Sequence, residues 1–210
     1  LVLFALVPVV AMTAGKDARA AAPPDPSYGR VQGDLAVVVG AGATVADGGP
    51  RAEAELRVRY LDTAGAFASY EDAPVLGSGA EPRRVFATGL ELRPFFLFRW
   101  LKGHETSRAF FDLLVDSIGL ELGAAFEQPS GTSFESRPAL QLGLMAEVPV
   151  FAQATGPWVS FHGGVRWSDA ALAGGPTADP DDRSFYLSIV LAWHQVVLTH
   201  AIDVGDGPPD

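Results

Sequence analysis

From about residue 31 onward the chain alternates between apolar and polar or small residues with a period of two. The segment from Arg51 to Leu61 shows it most fully. Ala52, Ala54, Leu56, Val58 and Tyr60 form one set, and Arg51, Glu53, Glu55, Arg57 and Arg59 the other. A β-strand sends successive side chains to opposite faces, so this segment has one apolar face and one fully charged face. The division recurs downstream. Ile118, Leu120, Leu122, Ala124 and Phe126 alternate with Gly119, Glu121, Gly123, Ala125 and Glu127. Leu140, Leu142, Leu144, Ala146 and Val148 alternate with Ala139, Gln141, Gly143, Met145 and Glu147. Val159, Phe161, Val165 and Trp167 oppose Ser160, His162, Gly164 and Arg166, and Phe185, Leu187, Ile189, Leu191 and Trp193 oppose Ser184, Tyr186, Ser188, Ala192 and His194.

The polar faces decide between two architectures. A soluble sandwich buries its large apolar face and shows water a dense polar one. Here the polar faces are sparse and rich in glycine. A membrane barrel inverts the arrangement, with large apolar side chains against lipid and small or charged ones in a narrow interior. The charges expected inside are Glu53, Glu55, Arg57, Arg59, Glu91, Arg93, Arg99, Glu121, Glu127, Glu147 and Arg166. They carry both signs, as a small lumen requires if no charge is to be left unpaired.

Eight strands are predicted, at residues 31–45, 52–61, 66–71, 85–101, 117–127, 139–151, 158–168 and 184–197. The fold class is therefore all-β: a closed antiparallel up-and-down barrel of about eight strands. The third strand exists only if residues 62–65 make a turn and not a bulge. Connections at 62–65 and 152–157 are short, whereas those at 72–84, 128–138 and 169–183 are long, as in barrels with short periplasmic turns and long outer loops. Two connections depart from this rule, a short one at 46–51 and a long one at 102–116. In the latter, Phe110, Leu113 and Leu114 fall on one helical face, with Arg108 and Asp112 spaced to pair on another side. This predicts one short helix between strands four and five, at the membrane boundary or capping the barrel mouth. Pro94 cannot donate to a sheet ladder, so it marks where the fourth strand leaves the hydrocarbon layer, with Phe95, Phe96, Phe98 and Trp100 in an aromatic girdle.

Over nearly all of residues 31–197 this pattern resembles the small bacterial outer-membrane barrels, the class that contains the transmembrane domain of outer membrane protein A. In that class the last strand ends in an aromatic preceded by alternating apolar positions and a glycine. Tyr186, Ser188, Leu191 and Trp193 are similar, with Ser188 in the glycine place. The tail that follows Trp193 and the proline at position 94 are departures. The resemblance implies an outer-membrane location with lipid as the surrounding partner.

Residues ahead of the barrel fit export. Leu1 to Met12 is a continuous apolar run of signal-core length, too short to cross a bilayer as a helix, and small residues follow at Ala18 and Ala20. A basic segment is expected ahead of such a core. The expected organisation is a signal peptide at 1–22, cleaved after Ala20 or Ala22, a proline-rich linker at 23–30, a barrel domain at 31–197 and a tail at 198–210. The absence of cysteine removes disulfides, zinc-thiolate sites and a lipidated cysteine. A net charge of -10, with few lysines, argues against a nucleic-acid surface.

Chemistry is weakly signalled. Residues 36–44 look like the start of a dinucleotide loop, but Val45 stands at the third glycine position and Asp47-Gly48-Gly49-Pro50 follows where a helix is needed. Ser160 with His162 and Ser188 with His194 are the lumen-side candidates for a lipid hydrolase, without an evident third partner. Asp179, Asp181 and Asp182 suit a solvated loop better than a calcium loop. No catalytic, cofactor-binding or metal-binding residue is therefore assigned, and no cofactor is expected. The reading is a non-enzymatic integral outer-membrane barrel with a structural or surface-binding role and a charged plug. The alternatives are a lipid-modifying outer-membrane hydrolase and a soluble periplasmic lipocalin-like carrier.

Overall fold

The computed structural model describes residues 28–173, 179 and 182–199. The expected signal peptide at 1–22, residues 23–27 of the linker and residues 200–210 of the tail lie outside the described residues, as does Asp181. The strands are β1 Leu35–Ala46, β2 Gly49–Tyr60, β3 Ala64–Asp72, β4 Arg84–Leu92, β5 Gly119–Gln128, β6 Ala139–Pro149, β7 Gly156–Trp167 and β8 Arg183–Val197. Each pairs antiparallel with the next, and β1 pairs with β8 from Leu35↔Val197 to Ala46↔Tyr186, closing the barrel. Closure leaves no strand edge unpaired, which is the condition for a sheet to sit in a medium without water.

The pattern places the side chains as the alternation predicts. Leu144, Ile189 and Leu191 point outward with 62%, 52% and 63% of their surface exposed, whereas Arg59 and Glu147 point inward and are fully buried. Residues 62–65 do contain a turn. Thr63 N donates to Tyr60 O at 3.0 Å, and Leu61 and Asp62 adopt left-handed backbone, so β3 is a separate strand. The β1–β2 hairpin has a two-residue turn, Asp47-Gly48, as its short connection implied.

One element departs from expectation. The fourth strand ends at Leu92, and Pro94–Leu101 is a helix, α1, followed by a second, α2, at Ala109–Asp116. FFLFRW satisfies a period of two but equally a period of 3.6, and Pro94 settles the choice because proline suits the first turn of a helix and not a ladder. Phe95, Phe96, Phe98 and Trp100 therefore form no strand girdle: Phe96 is buried and the others are exposed on the helix. The α2 helix is where the spacing put it, but Leu113 is buried while Phe110 is exposed, so the two do not share a face. Arg108 caps α2 in non-helical backbone, and Asp112 pairs instead with Arg99 from α1. A single turn of helix, α3, occupies Asp169–Leu172 in the last loop. The α1–α2 pair and the β2–β3 and β6–β7 turns share one end of the barrel with the segment that enters β1; this is the near end, and the opposite one the far end.

Candidate functional site

The candidate site is the lumen. Strand β2 lays five charged residues along one line, from Arg51 near the far end to Arg59 near the other, and the facing strands supply their partners. Every second residue points inward, so the i, i+2 spacing becomes a column of charge about 6.6 Å apart.

In the middle layer Arg57 donates Nε to Glu55 Oε2 at 2.8 Å and Nη1 to Glu91 Oε2 at 2.7 Å and Glu121 Oε1 at 2.6 Å. Its guanidinium also lies 5.4 Å from the Phe67 ring centroid. His162 Nδ1 lies 3.0 Å from Glu121 Oε1 and 3.2 Å from Arg57 Nη2. It can donate to the carboxylate or accept from the guanidinium, but not both at once. Near-end charges gather on Glu147. Arg59 Nη2 donates to it at 2.8 Å, Arg93 pairs with its other oxygen, and His194 Nε2 is 3.4 Å away. His194 is held by stacking on Trp158, with ring centroids 4.6 Å apart. At the far end Arg166 donates Nη2 to Glu71 Oε1 at 2.5 Å and Nε to Gln141 Oε1 at 2.9 Å, over the Tyr186 ring. Arg51 reaches the backbone carbonyls of Pro82 and Glu81, both at 2.8 Å, and so ties the lumen to the β3–β4 loop.

Glycines make the room for this. A Cβ on Gly143 would sit 2.5 Å from Tyr186 Oη and 3.0 Å from Glu121 Oε2, and one on Gly123 would sit 3.0 Å from Phe67 Cζ. Inward glycine on one strand is thus the complement of an inward ring or carboxylate on another.

A second cluster closes the near mouth. Arg30, buried, donates to Asp116 at 2.6 Å and Glu105 at 2.9 Å, with its guanidinium 3.9 Å from the Phe96 ring centroid. Arg99 donates to Asp112 at 2.5 Å and Asp116 at 2.6 Å, and Tyr28 Oη donates to Asp112 at 2.7 Å. Burial acts to raise the Asp112 carboxyl, but hydrogen bonds from Thr106, Tyr28 and Arg99 outweigh it and bring it down to about 2. Burial and the bond to Asp112 push the Tyr28 phenol up to about 12.

Of the charges expected inside, Arg99 belongs to this mouth cluster, Glu127 is half-buried near the far rim, and the rest are in the lumen. Ser160 and His162 point inward, yet the Ser160 hydroxyl lies 3.4 Å from Glu147, and His162 faces Glu121 and Arg57. Ser188 stands opposite His162 across β7–β8, while His194 lies at the Glu147 end. Among the described residues no hydrogen bond joins a serine hydroxyl to either histidine, and no group of three or more His, Asp or Glu is placed to hold a metal ion. Asp182 instead accepts from Ser168 Oγ at 2.5 Å. Sequence reasoning missed Arg30, which sits in what reads as linker, and Glu71, whose strand breaks the pattern by turning Phe67 inward.

Fold and lumen together define a closed eight-stranded antiparallel β-barrel, apolar outside and rich in paired charges inside. No family model matches the chain, and no curated protein matches it. In three dimensions it is similar to the crystal structure of Acinetobacter baumannii CarO2, with a TM-score of 0.45 and 12% identity over 75% of this chain and 99% of that one.

Proposed function

We propose that the protein is an integral outer-membrane β-barrel with a structural or surface-binding role, plugged by its own charged side chains and without enzymatic activity. One observation carries the reading: the large apolar residues of the strands are exposed on the outside, from Leu140 at 37% to Leu90 at 67%, while arginines and glutamates fill the inside. In water this arrangement has no driving force, because burial of apolar surface is what holds a soluble barrel together. On β8 the outward apolar positions run from Phe185 to Trp193. At about 3.3 Å per residue and a tilt of about 40° they span roughly 20 Å, near the ~25 Å band of such barrels. The near end then faces the periplasm, and the loops of the far end are the surface available for binding. Arg57 and Arg59 of β2 pair across the lumen with Glu121 and Glu147, which supports a role other than a pore or a ligand carrier. Engagement of the Ser160 hydroxyl and His162 ring with glutamates supports the non-enzymatic reading.

Membrane fractionation with single-cysteine labelling tests it, and the chain has no native cysteine to interfere. Cysteine at Leu120 or Leu144 is expected to react with lipid-dissolved reagents, and cysteine at Glu121 or Glu147 is not. A detergent-free, monodisperse monomer with the opposite labelling would overturn the proposal. Phospholipase and lipid A hydrolase assays on the wild type, His162→Ala and His194→Ala are expected to show no histidine-dependent turnover. Turnover lost in either variant would establish an enzyme instead.

A further inference from the structure

The α1–α2 pair carries an apolar surface that the barrel does not use. On α1, Phe96 and Arg99 turn toward the mouth, while Phe98 and Leu101, three residues apart, lie on the opposite side with 58% and 70% of their surface exposed. On α2, Asp112, Leu113 and Asp116 are buried, and Phe110 and Phe111 occupy the opposite side, each about half exposed. Phe95 is exposed on the flank of α1. Such a concentration of exposed rings on a short connection is far from ordinary surface, where large apolar side chains occur singly.

Two observations say what covers it. The hairpin is spliced at both ends into the outward face of the barrel: Leu92 precedes it, Ile118 and Leu120 follow it, and Leu92 pairs with Leu120 across β4–β5, all three exposed. The aromatic patch therefore continues the apolar belt past the end of the strands. Its charges are also those of a headgroup region. Lys102 and Arg108 are exposed between the helices, and Lys102 Nζ lies 5.2 Å from the Phe98 ring centroid, an apolar stem under a cationic tip. The acidic residues of α2, Asp112 and Asp116, are turned away and neutralised by Arg30 and Arg99, and α1 has none.

We infer that α1 and α2 form an in-plane anchor that seats its aromatic face in the headgroup and upper acyl region of the near-end leaflet, with phospholipid as its partner. Rings enter the apolar edge of the leaflet, and Lys102 and Arg108 meet phosphate, as in helices that lie on a membrane without crossing it. The opposite faces stay on the barrel mouth, so the plug at that mouth is held from one side by Arg30 and from the other by the bilayer. This inference rests on the membrane-barrel reading.

The test uses the full chain, refolded into vesicles of phosphatidylethanolamine and phosphatidylglycerol, with an environment-sensitive fluorophore on a single cysteine. Phe98→Cys and Phe111→Cys probe the hairpin, Leu191→Cys the strand belt, and Glu135→Cys the far-end loop. At 98 and 111 we expect a blue-shifted emission, severalfold weaker quenching by aqueous iodide than at 135, and stronger quenching by shallow than by deep nitroxide lipids. Label at 191 is expected to be quenched by deep nitroxides as well. Iodide quenching at 98 and 111 equal to that at 135, with 191 still in lipid, would overturn the anchor and leave the barrel. Protection of 98 and 111 from both quenchers would also overturn it, since protein and not lipid would then cover the patch. Iodide quenching at 191 would instead remove the membrane reading itself.

Discussion

Glu147 shows how much one residue can hold. Its carboxylate meets Arg59, Arg93 and His194, its backbone N–H donates to the Ser117 hydroxyl oxygen at 2.8 Å, and it is fully buried. Removing one partner of a buried ion pair strands the others, at a cost of about 3–5 kcal/mol. Glu147→Gln should therefore lower the midpoint of urea unfolding in vesicles far more than an exposed exchange such as Glu135→Gln. Adding Arg93→Met should recover part of the loss, because the double variant leaves one fewer unpaired charge. Equal loss in single and double variants would mean that Glu147 acts through backbone placement and not through its charge. Gly143→Ala probes the same layer from the other wall. A methyl group 2.5 Å from Tyr186 Oη has nowhere to go unless the ring moves, so unfolding should again come earlier, and Tyr186→Phe in the same chain should relieve it.

Elements divide into those the alternation specifies and those it does not. Strands were legible because one physical requirement, apolar out and polar or small in, holds at most positions, with Val38, Phe67, Val85 and Val190 as inward apolar exceptions, and the weakly patterned β3 still fell between two turns. The α1 helix was not legible in the same way. Phe96, Phe98 and Trp100 keep the parity of a strand, and the deciding signal was Pro94, read as the end of ladder pairing when it is also the start of a helix. The mouth cluster is legible only in part, since the spacing marks Asp112 as an ion-pair member but its partners come from α1 and from residues that read as linker. That cluster predicts a pH window. The folded-state value of Asp112 is depressed to about 2, so its contribution is complete above the ordinary aspartate range and is lost as pH falls from about 4 to about 2. Tyr28 is raised to about 12, so its contribution is present below pH 10 or so and is lost on rising toward 12. Glu105, raised by burial, acts in the sense of Tyr28 but nearer the carboxylate range. Protease access to the segment around Tyr28 should therefore rise at both extremes, and Asp112→Asn should abolish the acid limb. An acid limb that survives in Asp112→Asn would assign it to another carboxylate.

At the scale of the whole molecule, stability depends on the medium around it. Leu144 and Ile189 lie near the middle of their strands and face outward. Leu144→Arg or Ile189→Arg should cost about 2–4 kcal/mol in a bilayer. Urea titration of the refolded protein reads this directly, and a cost near zero would mean that these positions face water. A further consequence concerns the journey and not the destination. On the proposed outer-membrane location the chain must first pass the inner membrane, where an apolar stretch of roughly 18 residues would be retained as a helix. The exterior of this barrel is greasy, yet the grease is never consecutive for that length: in β2, β5, β6 and β7 inward charges, histidine, glutamine or glycine interrupt it, β1 is only 12 residues long and crossed by Gly40 and Gly42, and in β8 Ser188, His194 and Gln195 break the run. On that reading the same side chains that lock together inside the finished barrel keep the unfolded polypeptide from being retained as an inner-membrane protein on the way.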